Sequence, residues 1–313
     1  MPEERILWVV FAVLVPVVLV LDLGVFNRHA HEIKFKEALA WSSLWISLAL
    51  IFAFLIYLRV GTDSAVTFLT GYLIEETLSV DNLFVFLLIF GFFCVPAQYQ
   101  HKVLFWGIMG ALVMRGIFIA FGLAILDRFE WVVYIFGAFL IYTAIRLSVK
   151  KELKFRPESS PVFKLFCRFV PLSNDYHEGG FFTRVNGKRV ATLLLLVLAV
   201  VETTDVVFAV DSIPAVLAIS NDPFIVYTSN IFAILGLRSL YFVLSHATRR
   251  LVYLQYGLSV ILGFLGLKMV FSHFIEVSGL LSLGVVVGVL AIVTATSLLW
   301  PGNSGKGNGE VAT

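Results

Sequence analysis

The chain has 313 residues, of which 59% are hydrophobic and only 14% charged, and its mean hydropathy is +0.94. A soluble domain carries roughly a quarter charged residues, so the composition excludes a soluble globular protein and describes a polytopic membrane protein. A net charge of +2 gives no reason to expect nucleic acid as a partner, and the two cysteines, Cys94 and Cys167, make neither a disulfide framework nor a metal-binding spacing.

A membrane-crossing helix needs about 20 apolar residues. Nine segments qualify in chain order: 7–26, 36–58, 66–90, 102–126, 130–149, 190–218, 224–246, 251–272 and 279–300. The expected fold is therefore an all-α membrane helix bundle. In the N-terminal "MPEERILWVV", Glu3 and Glu4 offset Arg5, and no small-residue cleavage site follows, so the first segment reads as a retained span. Asp22, near the end of that span, either caps a helix or lines an exit path. The third span holds "LIEETLSVDNLF" with Glu75, Glu76 and Asp81, and the fourth holds "GALVMRGIF" with Arg115. Residues 150–189 are the one long polar loop. Within it "VFKLFCRFVPL" (162–172) suits the surface of an anionic leaflet. "FFTRVNGKRVAT" places Asn186-Gly187 between two β-prone runs, a hairpin signal. The sixth span holds "VETTDVVFAVDS" with Glu202, Asp205 and Asp211, and the seventh holds Arg238. The final residues are Gly-rich and expected to be disordered.

Lys and Arg concentrate in the odd-numbered loops, which places those loops and the C-terminus in the cytoplasm and the N-terminus outside a cell (inner) membrane. Setting "SVDN" (79–82) on "AVDS" (209–212) aligns Glu75 with Asp205, Asp81 with Asp211 and Asn82 with Ser212, and downstream the next span of the first unit carries Arg115 as the corresponding span of the second carries Arg238. The repeat unit is thus three helices, spans 3–5 and spans 6–8. Three is odd, so the two units lie inverted in the membrane, an arrangement used by transporters with a midplane site. The organisation follows: two N-terminal helices (1–62), the first repeat (63–149), the loop (150–189), the second repeat (190–273), and a last helix with its tail (274–313).

A charge inside the hydrocarbon costs at least ~2.5–3.5 kcal/mol, so the recurring acids demand a use. The donors on offer, Asp, Glu, Asn and Ser, are all oxygen, which suits Mn²⁺, Mg²⁺ or Ca²⁺ and disfavours Cu⁺ or Zn²⁺. Glu75 and Asp81 are six residues apart, about 120° around a regular helix. Both could reach one ion only if the helix broke, so breaks are expected near 76–81 and 206–211, the second helped by Pro214. Clustered carboxylates titrate as a coupled set, which makes proton antiport the natural coupling.

The segments "FLTGYLIEETLSVDNLFVF", "VETTDVVFAVDSIPAV" and "SNIFAILGLRSLYF" resemble the signature segments of the TerC/Alx integral membrane family. The likeness runs through nearly all of the chain, including "YIFGAFL" and the FF-x-R-x-NG loop. The resemblance implies kinship with LysE-like exporters, manganese efflux, and a historical association with tellurium resistance. It implies metal-binding roles for Glu75, Asp81, Asp205 and Asp211, with Asn82 and Glu202 beside them, and the repeat adds Ser212 to the expected metal site. Arg115 and Arg238 are their expected charge partners. Glu76 departs from the pattern of related exporters, which have a basic residue there, and is not counted as a ligand.

The reading is a secondary exporter of divalent metal, Mn²⁺ by resemblance. The rivals are an exporter of another hard cation such as Ca²⁺, and a non-transporting membrane partner in stress or tellurium resistance. No catalytic pattern points to an enzyme. No tightly bound cofactor is expected. The partners are the metal and the lipid bilayer, with the oligomeric state left open.

Overall fold

The computed structural model describes residues 2–21, 34–129, 131–149, 171, 173, 176, 179–185, 188–247, 254–272, 274 and 277–299. Of the expected features, Asp22, residues 162–170 and 172, Asn186-Gly187 and the Gly-rich tail from 300 onward lie outside this set. Among the described residues there are nine helices: α1 (Pro2–Leu21), α2 (Phe35–Arg59), α3 (Thr62–Phe92), α4 (Ala97–Arg128), α5 (Val132–Val149), α6 (Leu193–Leu217), α7 (Pro223–Ala247), α8 (Leu254–Val270) and α9 (Gly279–Leu299). Six of them, α2, α4, α5, α6, α7 and α9, are long and apolar enough to cross a membrane. The all-α membrane bundle expected from the sequence is what the chain forms.

Chain neighbours are not the main packing partners. α3 packs against α7, α4 against α6, and α5 against α8. Glycines let the last two pairs approach closely. A side-chain carbon at Gly122 on α4 would come within 2.9 Å of Leu217 on α6. One at Gly137 on α5 would lie 2.9 Å from the carbonyl oxygen of Gly266 on α8, and one at Gly266 would lie 2.7 Å from the Gly137 carbonyl. Backbones in lipid gain from such close contact because apolar burial supplies no drive there. Gly266→Val is therefore expected to pry α5 from α8. Thermal unfolding in detergent should show a loss of about 2 kcal/mol or more, in the range of overpacking; an unshifted melting curve would mean the pair does not hold the bundle.

The contact register gives each pair a direction. α4 and α6 run the same way, since Gly107 meets Val201, Gly110 meets Glu202 and Gly122 meets Leu217. α3 and α7 also run the same way, with Gly71 against Ser229 and Phe90 against Tyr241. α4 and α7 are opposed: Tyr241 Oη bonds to Gln100 Oε1 at 3.0 Å, whereas Tyr227 Oη donates to Gly116 O at 2.8 Å. α5 and α8 are opposed as well, for Gly137 faces Met269 and Ser259 donates to Ala144 O. It follows that α3 is opposed to α6.

The hairpin expected around Asn186-Gly187 is present. β1 (Phe182–Val185) and β2 (Lys188–Ala191) pair antiparallel, with Val185 opposite Lys188. Its approach segment is tied to the turn between α3 and α4. Lys102 donates to Gly179 O at 2.7 Å and lies over the Phe181 ring, and the Tyr176 hydroxyl donates to Phe93 O. Burial, with the Cys94 thiol nearby, pushes the Tyr176 phenol up to about 12, so it stays protonated to donate.

The expected helix breaks are absent. α3 runs unbroken through 76–81 and α6 through 206–211, with Pro214 inside it. The physical reason is the solvent. In hydrocarbon every freed peptide group costs several kcal/mol unless re-satisfied, and a regular helix satisfies them all. A single proline is tolerated in such helices, where neighbours can re-satisfy the carbonyl it frees.

Candidate functional site

The centre of the bundle holds a buried ionic cluster. Arg115 on α4 is 1% exposed and forms ion pairs with Glu75 on α3 and Asp205 on α6. Its Nη2 lies 3.2 Å from Asp205 Oδ1, and its Nε lies 3.5 Å from Oδ2. Glu75 is fully buried and Asp205 is 4% exposed. The parallel register of α4 and α6 brings Arg115 level with Asp205, and the guanidinium fork lets one cation serve two carboxylates.

Glu202 is half-buried and lies three residues before Asp205, on the same face of α6. Its carboxylate occupies the space above Gly110 on α4, where any larger residue would collide with it. The glycine thus makes room for an acid. Glu202 has no ion-pair partner among the described residues. Three carboxylates against one guanidinium leave the cluster a formal charge of −2.

Unbroken helices change which residues share a face. Glu75, Ser79 and Asn82 fall at i, i+4 and i+7, one stripe on α3. All three are buried, and Ser79 Oγ and Asn82 Nδ2 have no hydrogen-bond partner among the described residues. Asp205 and Ser212 repeat the i, i+7 spacing on α6, and Ser212 Oγ is likewise buried and unpartnered. Ser79 was missed by sequence reasoning; the helical spacing from Glu75 was the signal that would have found it.

Asp81 and Asp211 lie within α3 and α6, but the structure describes only their backbone. On unbroken helices each sits about 120° around from its partner acid, Glu75 or Asp205, rather than on the same face. Arg238, expected as a charge partner, meets His101 Nε2 at 3.1 Å. That contact is 14 residues from Arg115 along α4, about 21 Å, so the two arginines are used differently. Among the described residues no group of three or more His, Cys, Asp and Glu converges on one metal position.

Residues 60–304 match the profile of the family described as "Integral membrane protein TerC family". The chain is 48% identical over 293 residues to "Uncharacterized membrane protein STKORF319" of Myxococcus xanthus, covering 94% of this chain and 92% of the relative. It is 46% identical over 296 residues to the "Putative membrane-bound redox modulator Alx" of Salmonella typhi. It is 45% identical over 296 residues to the protein of that name in Escherichia coli K12. Both of these matches cover 92% of either chain. No solved structure matches the chain.

Proposed function

Because the chain belongs to the TerC family of integral membrane proteins, we propose that its acidic centre carries divalent metal ions, Mn²⁺ foremost, out of the cell. The observation that carries this reading is the Glu75–Arg115–Asp205 cluster with Glu202 beside it. A fold needing only an internal tie has no use for the third, unpaired carboxylate. A formal −2 in a low-dielectric setting matches a divalent cation. Oxygen donors alone suit a hard ion, and manganese among these is the ion the family resemblance implies. The coupled carboxylates make protons the natural counter-substrate.

The directions of the helices support an inverted pair of three-helix units. α3 opposes α6, α4 opposes α7 and α5 opposes α8, as exchange of the two units requires. In this reading Asp81 and Asp211 flank the centre. Each lies six residues, about 9 Å, beyond its partner acid, and because α3 and α6 run oppositely one falls on each side. They would serve as access and exit ligands, with Asn82 and Ser212 one residue farther along, on the face of the helix that carries Glu75 or Asp205. The basic end of the bundle, with the hairpin, would face the cytoplasm.

The direct test is metal flux into liposomes holding the purified protein, with Mn²⁺, Mg²⁺, Ca²⁺ and Zn²⁺ compared. Mn²⁺ flux well above that of empty liposomes is expected, and folded protein that moves none of the four would end the proposal. Asp81→Asn and Asp211→Asn keep shape but remove charge, so each should lower Mn²⁺ flux at least about tenfold, ~1.4 kcal/mol. Normal flux in both would remove the two aspartates from the path while leaving the centre in place.

A further inference from the structure

Asn230 lies on α7, is fully buried, and has no hydrogen-bond partner for either its Oδ1 or its Nδ2 among the described residues. Each hydrogen bond left unmade by a buried polar group costs about 1–3 kcal/mol. An apolar residue of the same shape would avoid that cost. Two contacts fix where Asn230 sits. Tyr227, three residues earlier, donates to the carbonyl of Gly116, the residue after Arg115 on α4. Ser229, its neighbour, lies against Gly71, four residues before Glu75 on α3. The turn from Tyr227 to Asn230 is thus held from two sides, within about one helical turn of the Glu75–Arg115 pair. Farther along the same face, Ile234, Leu237 and Tyr241 pack with Leu83 and Phe86 of α3 and Leu104 of α4, so that face is turned inward between α3 and α4.

Resting on the transport reading above, we infer that Asn230 is a ligand of the transported cation, with its Oδ1 as a neutral hard donor supplied by a third helix. Hard divalent cations take about six oxygen ligands or more, and two of the three central carboxylates are already engaged by Arg115. A carboxamide oxygen adds a ligand without adding charge to a crowded acidic centre. The two hydrogens on Nδ2 remain free to donate to a carboxylate or to water on the ion.

The test measures Mn²⁺ and Zn²⁺ affinity of the purified full chain by calorimetry, with thermal unfolding recorded for each variant. Asn230→Ala removes the donor and should weaken Mn²⁺ binding at least about tenfold. Asn230→Asp keeps the shape, and in protein shown folded by its unfolding curve its added charge should tighten Mn²⁺ binding. Asn230→His replaces oxygen with nitrogen and should move the Mn²⁺/Zn²⁺ preference toward Zn²⁺ at least about tenfold. A residue that only packs would change melting temperature and leave affinity and preference alone. Unchanged Mn²⁺ affinity in Asn230→Asp, or an unchanged preference in a folded Asn230→His, overturns the inference and leaves the transport reading standing. Wild-type protein that binds no divalent cation removes both.

Discussion

Arg115→Met is expected to stop the protein from accumulating in the membrane. The guanidinium is the cation between two buried carboxylates, Glu75 and Asp205. Removing one partner of a buried pair costs about 3–5 kcal/mol, and here two acids would be stranded. Whole domains are stable by only about 5–15 kcal/mol. Arg115→Lys keeps the charge but loses the fork that serves both acids at once, so its yield should be intermediate. The triple variant Arg115→Met, Glu75→Gln, Asp205→Asn strands no charge and should recover yield. Fluorescence-detected size exclusion of detergent extracts reads all three. A normal monodisperse peak for Arg115→Met alone would show that the ion pairs do not hold the centre together.

Glu202→Gln should behave in the opposite way: normal yield, with Mn²⁺ flux in liposomes lowered at least about tenfold. Of the three carboxylates in the cluster, Glu202 is the one with no ion-pair partner among the described residues, so neutralising it strands nothing. What it removes is half of the formal −2 that would attract a divalent cation. A variant that folds and transports at the wild-type rate would show that the charge surplus serves some other purpose. Gly110→Ala reaches the same carboxylate sterically, because the added methyl takes the space Glu202 occupies. It should mimic Glu202→Gln in flux.

The spans, the hairpin and the acidic residues were legible in the sequence because each has a local cause. Apolar runs of membrane length, an Asn-Gly turn and charges inside those runs need no partner to be recognised. The pairing of Arg115 with Glu75 was within reach of the sequence, but its simultaneous hold on Asp205 depends on the register of α4 against α6, which no local pattern states. The expected breaks in α3 and α6 failed for a physical reason. Bringing Glu75 and Asp81 to one ion would leave backbone groups unpaired in lipid, which costs several kcal/mol each. Asn230 stayed hidden because an Asn between Ser229 and Ile231 looks ordinary until its burial and empty hydrogen-bonding capacity are known.

The exchange of partners between the two halves of the bundle also sets the order in which the protein can be made. α3, α4 and α5 find their main contacts in α7, α6 and α8, so the first three must wait in the bilayer while the rest is synthesised. Asp205 follows Arg115 by 90 residues, which at ribosomal speeds of about 5–20 residues per second is a delay of roughly 5–18 s. During that interval Arg115 has only Glu75, from its own half, for company. A nascent chain paused before residue 205 should therefore be a ready substrate for membrane quality control.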